Sequence, residues 1–234
     1  MADGMLEVLR TEQKYLLSYM ETEQMAGRLD TILHRDEHGG PNGYVVRSLY
    51  FDTLDDKDFN DKDGGFEMRR KVRLRVYSSS DKTAKLELKE KQGDLQRKRS
   101  LLMQREDAIR LCNGELDALR NYDSEFAAEM YGRMVQMNYI PKCIVEYDRR
   151  AYVVKENDIR ITLDGGLRAS ESNLNLFDEN LNLYPVGDVG QYTMEVKFNR
   201  FILSYVKAVV SMSEQSQTSA SKYCAARLAT LGLI

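Results

Sequence analysis

The sequence predicts an α+β fold with eight or so mainly antiparallel strands, and three observations lead there. Charged and apolar residues alternate at every second position in at least five short segments. Side chains on a strand alternate faces, so each segment carries one oily face and one charged face. The connections between several segments are hairpin-sized and rich in Gly, Ser and Asp, which joins neighbours antiparallel. Between and after the strands, Met and Leu recur at helical spacing.

Taken in order, residues 8–17 read as the first strand, with Arg10, Glu12 and Lys14 of one parity. Ser18 and Glu21 have capping-box spacing and start a helix to about His34, with Met25, Leu29, Ile32 and Leu33 inward. Residues 34–43 hold Gly39-Gly40-Pro41-Asn42-Gly43 and read as a turn or mobile loop. A strand at 45–52 precedes a short acidic helix or loop at 53–60. Gly64-Gly65 turns the chain into a long strand at 67–77, and a polar turn leads back along 84–91. Gly93-Asp94 is the next turn, before a strand at 96–103. Helices follow around Asn113-Gly114 and at 124–138, where Phe126, Met130, Met134 and Met137 are helically spaced. Strands resume at 142–154 and 158–164, and Gly165-Gly166 reads as a turn, like the other glycine pairs. The stretch 170–190 is an irregular excursion with Pro185. A strand at 191–198 and helices at 201–213 and 219–231 close the chain. No repeat or linker divides it, so residues 1–234 are expected to form a single domain.

The bulk numbers remove several classes. A formal charge of −3 predicts no general affinity for nucleic acid or anionic membrane. No segment reaches the roughly 20 apolar residues that cross a bilayer. Cys112, Cys143 and Cys224 are far apart without C-x-x-C spacing, which reads as free thiols in a reducing compartment. Met1 to Glu7 holds no apolar run of the signal-peptide kind, so the expected location is cytoplasmic. There is no P-loop and no G-x-G-x-x-G. His34 and His38 sit in or beside a glycine loop, which disfavours histidine chemistry.

The charged faces point to one chemistry. Ten basic residues share them (10, 14, 71, 73, 75, 89, 91, 149, 160, 197), against four acidic ones (12, 87, 164, 195). These faces are either solvated or gathered in the lumen of a closed sheet whose oily exterior the helices cover. Lys71, Arg73 and Arg75 on one face repel each other unless an anion lies between them. Arg donates two parallel hydrogen bonds to phosphate, and Lys supplies a movable charge. Carboxylates add little to anion binding alone, but they suit Mg²⁺ or Mn²⁺, hard ions that bridge carboxylate and phosphate oxygens. Glu12, Glu87, Asp164 and Glu195 are the metal candidates; the other reading of each is a salt bridge that orients a neighbouring base.

Seven segments in order resemble the VTC domain, the catalytic domain of vacuolar transporter chaperone polyphosphate polymerases. They are Arg10-Thr-Glu12-Gln-Lys14-Tyr15, Arg47-Ser-Leu-Tyr50-Phe51-Asp52, Lys71-Val-Arg73-Leu-Arg75, Leu86-Glu87-Leu-Lys89-Glu-Lys91, Val145-Glu-Tyr147-Asp-Arg149, Arg160-Ile-Thr162-Leu-Asp164 and Glu195-Val-Lys197. The resemblance spans about residues 8–225. It implies a triphosphate tunnel metalloenzyme: an eight-stranded antiparallel β-barrel with helices packed around the outside, a basic lumen and a divalent metal. By the same resemblance Arg73, Arg75, Lys89, Arg149 and Arg160 would act on phosphates and Glu195 would bind metal. Lys14 and Lys197 would complete the lumen, Lys98 or Arg99 would join it, and Lys222 would reach its mouth. Arg10, Arg47, Lys71, Lys91 and Tyr147 complete the phosphate-binding candidates.

Triphosphate hydrolases of that superfamily usually begin Glu-x-Glu-x-Lys, whereas Arg10 here leaves Arg-x-Glu-x-Lys. The change removes a metal ligand and adds phosphate-binding charge, which favours a polymerase. The expectation is a metal-dependent polyphosphate polymerase that moves the γ-phosphate of ATP to a growing chain, with Mn²⁺ or Mg²⁺. Its partners would be ATP or another triphosphate and inorganic polyphosphate, with room for a separate membrane subunit. The alternatives are a tripolyphosphate or nucleoside triphosphate hydrolase and a non-catalytic polyphosphate binder.

Overall fold

The computed structural model describes residues 11–232 apart from 38, 41, 93, 94 and 214. Arg10, His38 and the turn read at Gly93-Asp94 therefore lie outside the described residues. Ten described strands make one antiparallel sheet: β1 (Thr11–Ser18), β2 (His34–Arg35), β3 (Tyr44–Thr53), β4 (Met68–Val76), β5 (Thr83–Gln92), β6 (Leu95–Gln104), β7 (Tyr139–Val154), β8 (Ile159–Ser170), β9 (Tyr184–Pro185) and β10 (Gln191–Phe198). Among the described residues six α-helices accompany them: α1 (Tyr19–Ile32), α2 (Lys57–Asp63), α3 (Arg105–Cys112), α4 (Glu125–Gln136), α5 (Ser204–Ser211) and α6 (Lys222–Thr230).

The main path runs β1-β10-β8-β7-β3-β4-β5-β6, with β2 paired to β7 and β9 to β8. Eight strands lie on this path, as expected. Among the described residues nothing pairs β1 with β6, so the barrel expected from the resemblance does not close.

The period-two pattern decides what covers the sheet. On β4 and β5, Val72, Leu74, Leu86 and Leu88 are fully buried against α3 and α4, through Leu111, Met130 and Met134. On β8 and β10, Ile161, Met194 and Val196 meet Met25 and Leu29 of α1 and Val206 of α5. Ser18 and Glu21 form the expected capping box on α1: Glu21 N donates to Ser18 Oγ at 3.3 Å and Ser18 N to Glu21 Oε2 at 2.7 Å. Such a cap stabilises a helix by roughly 1 kcal/mol. Ile32, expected inward, is instead 39% exposed, because α1 ends there.

Not every helix packs outside. Ser48 and Tyr50 share a face with Arg75 and Arg73, which they pair with across β3 and β4. Tyr50, Val46 and Tyr147 pack against Tyr223, Cys224 and Ala226 of α6 and Phe59 of α2. Thus α6 covers part of the same face that carries the cations. Tyr223 stacks on Tyr50 with ring centroids 4.9 Å apart and donates its hydroxyl to Asp52 at 2.7 Å. Asp52 also accepts the backbone N–H groups of Asp58 and Phe59, which ties α2 to the same corner.

Gly165-Gly166 is not a turn. Both residues continue β8, where the pairing with β7 slips between Glu146 and Asp148. A Cβ on Gly165 would sit 2.0 Å from the Tyr192 ring, and Gly166 has φ +60°, so a bulge takes the place of the expected strand end.

Candidate functional site

Strand register sets the charged face in rows. Glu12, Lys197 and Arg160 face one another across β1, β10 and β8, and the next row is Lys14, Glu195 and Thr162. On the other arm, Tyr50, Arg73 and Glu87 align, and Lys71, Lys89 and Lys98 form a neighbouring row. The curved sheet brings the two arms together around a cavity of about 260 Å³. Twelve basic side chains line it against three acidic ones, Glu12, Glu90 and Glu195. That ratio answers the question left by the sequence: the cations converge.

Two carboxylates hold the lysines of β1 and β10. Glu195 lies 2.7 Å from Lys197, 3.3 Å from Lys14 and 3.4 Å from Lys222. Glu12 lies 3.1 Å from Lys14 and 3.8 Å from Lys197. Burial works to raise the Glu12 carboxyl, but Lys197 and Lys89 overcome it and hold it at about 2. Burial likewise opposes the charge of Glu195, yet Lys197, Lys14 and Lys222 keep it well below the usual carboxylate range. Both are anionic at neutral pH.

The arginines are aimed by buried partners. Arg73 donates through Nε to Glu87 at 2.6 Å and through Nη1 to the Tyr50 hydroxyl at 3.3 Å. Arg149 donates to Asp164 and, at 3.2 Å, to the Tyr147 hydroxyl. Each guanidinium keeps one terminal nitrogen, Nη2 of Arg73 and Nη1 of Arg149, without a hydrogen-bond partner among the described residues. Arg75 donates to Ser48 at 3.3 Å. Burial pushes the Lys71 ammonium down to about 8, and burial with the Arg73 charge pushes Lys89 well below its ordinary value. No carboxylate lies within ion-pairing distance of either lysine among the described residues. The cavity holds more positive charge than its own carboxylates satisfy.

The segment 217–222 crosses the mouth of this cavity; a helix is expected from 219, whereas α6 begins only at Lys222, with Ser221 as its N-cap. Thr218 N donates to Lys14 O at 2.8 Å, and Lys14 Nζ to Ala220 O at 3.1 Å. Lys62 and Lys71 donate to Ser219 and Ser221 at 2.8 and 2.6 Å. Lys62, Arg69 and Arg70 also line the mouth without having been expected. Arg69 shares the parity of Lys71 and was legible. Lys62 sits on α2, where only the tertiary fold brings it in.

Lys14, Lys71, Arg73, Arg75, Lys89, Lys91, Tyr147, Arg149, Glu12, Glu195, Lys197 and Lys222 are brought together as expected. Five expected residues are not. Arg47 points to the opposite face, where it bonds Glu146 and the carbonyls of Leu176 and Asp178. Arg160 has the right parity but lies beyond the cavity, bound to Asp36 and the Tyr44 hydroxyl. Lys98 pairs with Glu87 and its side chain is 44% exposed, beside the unclosed edge of β6. Glu87, 1% exposed, is shared by Arg73, Arg75 and Lys98, so it orients bases rather than facing a metal. Asp164 is likewise taken by Arg149 and Lys222.

A family model described as "VTC domain" matches residues 9–231. Among solved structures, a Bacillus halodurans protein provisionally named an adenylate cyclase superposes with a TM-score of 0.56 at 12% identity, covering 92% of this chain and 95% of that one. A Hippeastrum protein, provisionally named an adenylyl cyclase and described as having a dominant triphosphatase activity, gives 0.53 at 12% identity, with 96% of each chain covered. These likenesses concern the fold. No curated protein matches the chain. No helix of the described residues is long and apolar enough to cross a membrane.

Proposed function

This chain belongs to the VTC domain family, and from that premise we propose that it is a metal-dependent polyphosphate polymerase using ATP. The observation that carries the proposal is the convergence of Arg73, Arg75, Lys89, Arg149, Lys14 and Lys197 on one cavity beside Glu12 and Glu195. Phosphoryl transfer asks little covalent chemistry of a protein; positioning and charge neutralisation supply most of the rate. The terminal nitrogens of Arg73 and Arg149 are free to receive phosphoryl oxygens while their partners hold each guanidinium plane. Lys71 and Lys89, starved of counter-charge, gain most from an incoming polyanion.

The carboxylates fit a divalent ion of the substrate-bridged kind. Among the described residues no three His, Cys, Asp or Glu side chains gather into a cage. Mg²⁺ typically takes one or two carboxylates together with substrate phosphates. Glu195 and Glu12, which share Lys14 and Lys197 as neighbours, would hold it. When bound, the ion would neutralise negative charge on the substrate phosphates.

Hydrolysis of tripolyphosphate or a nucleoside triphosphate is the second reading. The triphosphatase activity named for the Hippeastrum structure, which shares this fold, favours it. Incubation with ATP and Mn²⁺ or Mg²⁺, with the products run on a gel, separates the two. A ladder of long chains is expected; orthophosphate alone would overturn polymerisation, and no turnover would leave a polyphosphate binder.

A further inference from the structure

The mouth of the cationic cavity holds one guanidinium that strand parity does not place there. Arg70 is out of step with Lys71 and Arg73 and shares the outer side of β4 with Val72 and Leu74. It nevertheless lines the mouth, near the start of β4 where α2 packs. Its contacts are loose. Nη1 donates to the Met137 sulfur at 3.4 Å, and Nε stands 3.6 Å from Asp58 Oδ1, an ion pair too long for a hydrogen bond. The side chain is 27% exposed, against 10% for Arg73, which Glu87 holds at 2.6 Å.

Asp58 is completely buried and poorly satisfied. The Tyr139 hydroxyl donates to its Oδ2 at 2.7 Å, while its Oδ1 is buried without a hydrogen bond among the described residues. Asp52 beside it takes the donors that Asp58 lacks: the backbone N–H groups of Thr53, Asp58 and Phe59, and the Tyr223 hydroxyl of α6. The other cation of α6, Arg227, turns to Asp56 and Glu171. Burial raises the Asp58 carboxyl to about 7, with Asp52 and Asp61 adding to the rise and Tyr139 and Arg70 opposing it. A buried carboxylate with an orphaned oxygen is costly. Either a proton or the close approach of Arg70 relieves it, and one of the two suffices.

We propose that Arg70 is a movable anion receptor at the mouth of the cavity, parked on Asp58 and handed to an entering phosphate chain, while Asp58 takes up a proton from solvent in its place. The exchange balances: the Arg70–Asp58 contact breaks, an Arg70–phosphate contact forms, and one proton joins the carboxylate. Asp58 touches no phosphate; it is a positioning residue that acts through Arg70. The inference rests on the triphosphate reading given above and adds to it an entrance whose grip on polyanions tightens as pH falls towards 7.

Calorimetry of tripolyphosphate binding, at a pH about one unit above the Asp58 value and in buffers of different ionisation enthalpy, reads affinity and proton uptake together. Asp58→Asn keeps an acceptor for Tyr139 and removes the charge that holds Arg70. It is expected to tighten binding by up to about 10-fold, the factor by which the parked form is favoured at that pH, and to take up fewer protons than the wild-type chain. A purely structural role for Asp58 would weaken binding instead. Arg70→Gln, at a partly exposed position, is expected to weaken binding by about 10-fold, the scale of one charge-assisted contact, and to show the same loss of uptake. The double variant should match Arg70→Gln to within about twofold, because Asp58 then has nothing to release. Lys71 titrates alike in all four chains and cancels in the comparison. Wild-type uptake in both single variants, or equal tightening by Asp58→Asn with and without Arg70, overturns the inference and leaves the cationic cavity standing. Should Asp58→Asn fail to fold, the uptake in Arg70→Gln alone decides. Failure of the wild-type chain to bind tripolyphosphate overturns the triphosphate reading and the inference with it.

Discussion

Arg149 grips Asp164 through two parallel hydrogen bonds, Nε to Oδ1 and Nη2 to Oδ2, each 2.7 Å long. The pair spans β7 and β8, where the two residues are register partners. Asp164 is only 2% exposed and Arg149 7%. Fork-to-carboxylate geometry fixes the guanidinium plane, and thereby the direction of its remaining nitrogen. The first prediction follows from that burial. Asp164→Ala leaves Arg149 and Lys222 without their shared carboxylate and is expected to destabilise the fold by about 3–5 kcal/mol, the usual cost of orphaning a buried charge. Urea unfolding measures it; a loss below about 1 kcal/mol, the scale of a surface pair, would contradict the assignment.

Arg75 and Arg160 separate the cavity from its surroundings. Arg75 lines the cavity; Arg160, on the same face of the sheet, is held beyond it by Asp36 and Tyr44. Arg75→Ala is expected to lower turnover by about 10²–10³-fold, the range for removing one preorganised donor. Arg160→Ala is expected to leave turnover essentially unchanged. Steady-state kinetics of the two variants, each checked for folding by circular dichroism, decide; equal losses would mean that the phosphate path extends to Arg160.

Lys71 gives the site a pH signature. Its ammonium is pushed down to about 8, chiefly by burial, from an ordinary 10.5. Because the folded value is depressed, the contribution of Lys71 to stability is complete above 10.5 and is lost as pH falls towards 8. Anion binding has the opposite sign. A polyphosphate next to Lys71 restores its charge, so binding takes up a proton and weakens as pH rises through 8, at most tenfold per pH unit for one group. Calorimetry of tripolyphosphate binding in buffers of different ionisation enthalpy measures the uptake. Lys71→Met should abolish the part belonging to this residue, and unchanged uptake in that variant would refute the assignment.

The strands and their charged face were legible because β structure has a period of two, and β4 and β5 obey it without a break. The same rule exposes one misreading: Arg47 is out of step with Ser48 and Tyr50, which face Arg75 and Arg73. Arg160 could not have been excluded this way. Its parity is right, and what removes it from the cavity is Asp36, brought in from a distant loop. Gly165-Gly166 has the composition of a turn, yet the Tyr192 ring and the slip in pairing with β7 require the same glycines inside a strand. The position of α6 was hidden for a related reason. Helical periodicity marks which stripe is buried but not which side of a sheet buries it, so Tyr223 and Cys224 gave no hint that they pack beside the cations. The segment 217–222 owes its place to bonds with Lys14, Lys62 and Lys71, none of them local in sequence.

Glu195 tests the metal directly, because its two readings predict different results. The carboxylate touches Lys14, Lys197 and Lys222. Glu195→Gln therefore removes a counter-charge that three ammonium groups share, leaving Lys14 and Lys197 to Glu12 and Lys222 to Asp164, and raises the net positive charge of the cavity, whatever the role of the ion. Tripolyphosphate binding in the presence of a chelator is expected to tighten. If Glu195 also holds a divalent ion, turnover in the variant falls, and the Mn²⁺ concentration for half-maximal rate rises, by about 10-fold or more for loss of one of only two carboxylates. Glu12→Gln should act in the same direction with a smaller effect, since Glu12 has fewer cationic contacts and a more distant Lys197. Should Glu195→Gln tighten metal-free binding while its Mn²⁺ dependence stays that of the wild-type chain, the carboxylate is a brace for the lysines, and the ion is held by the phosphates alone.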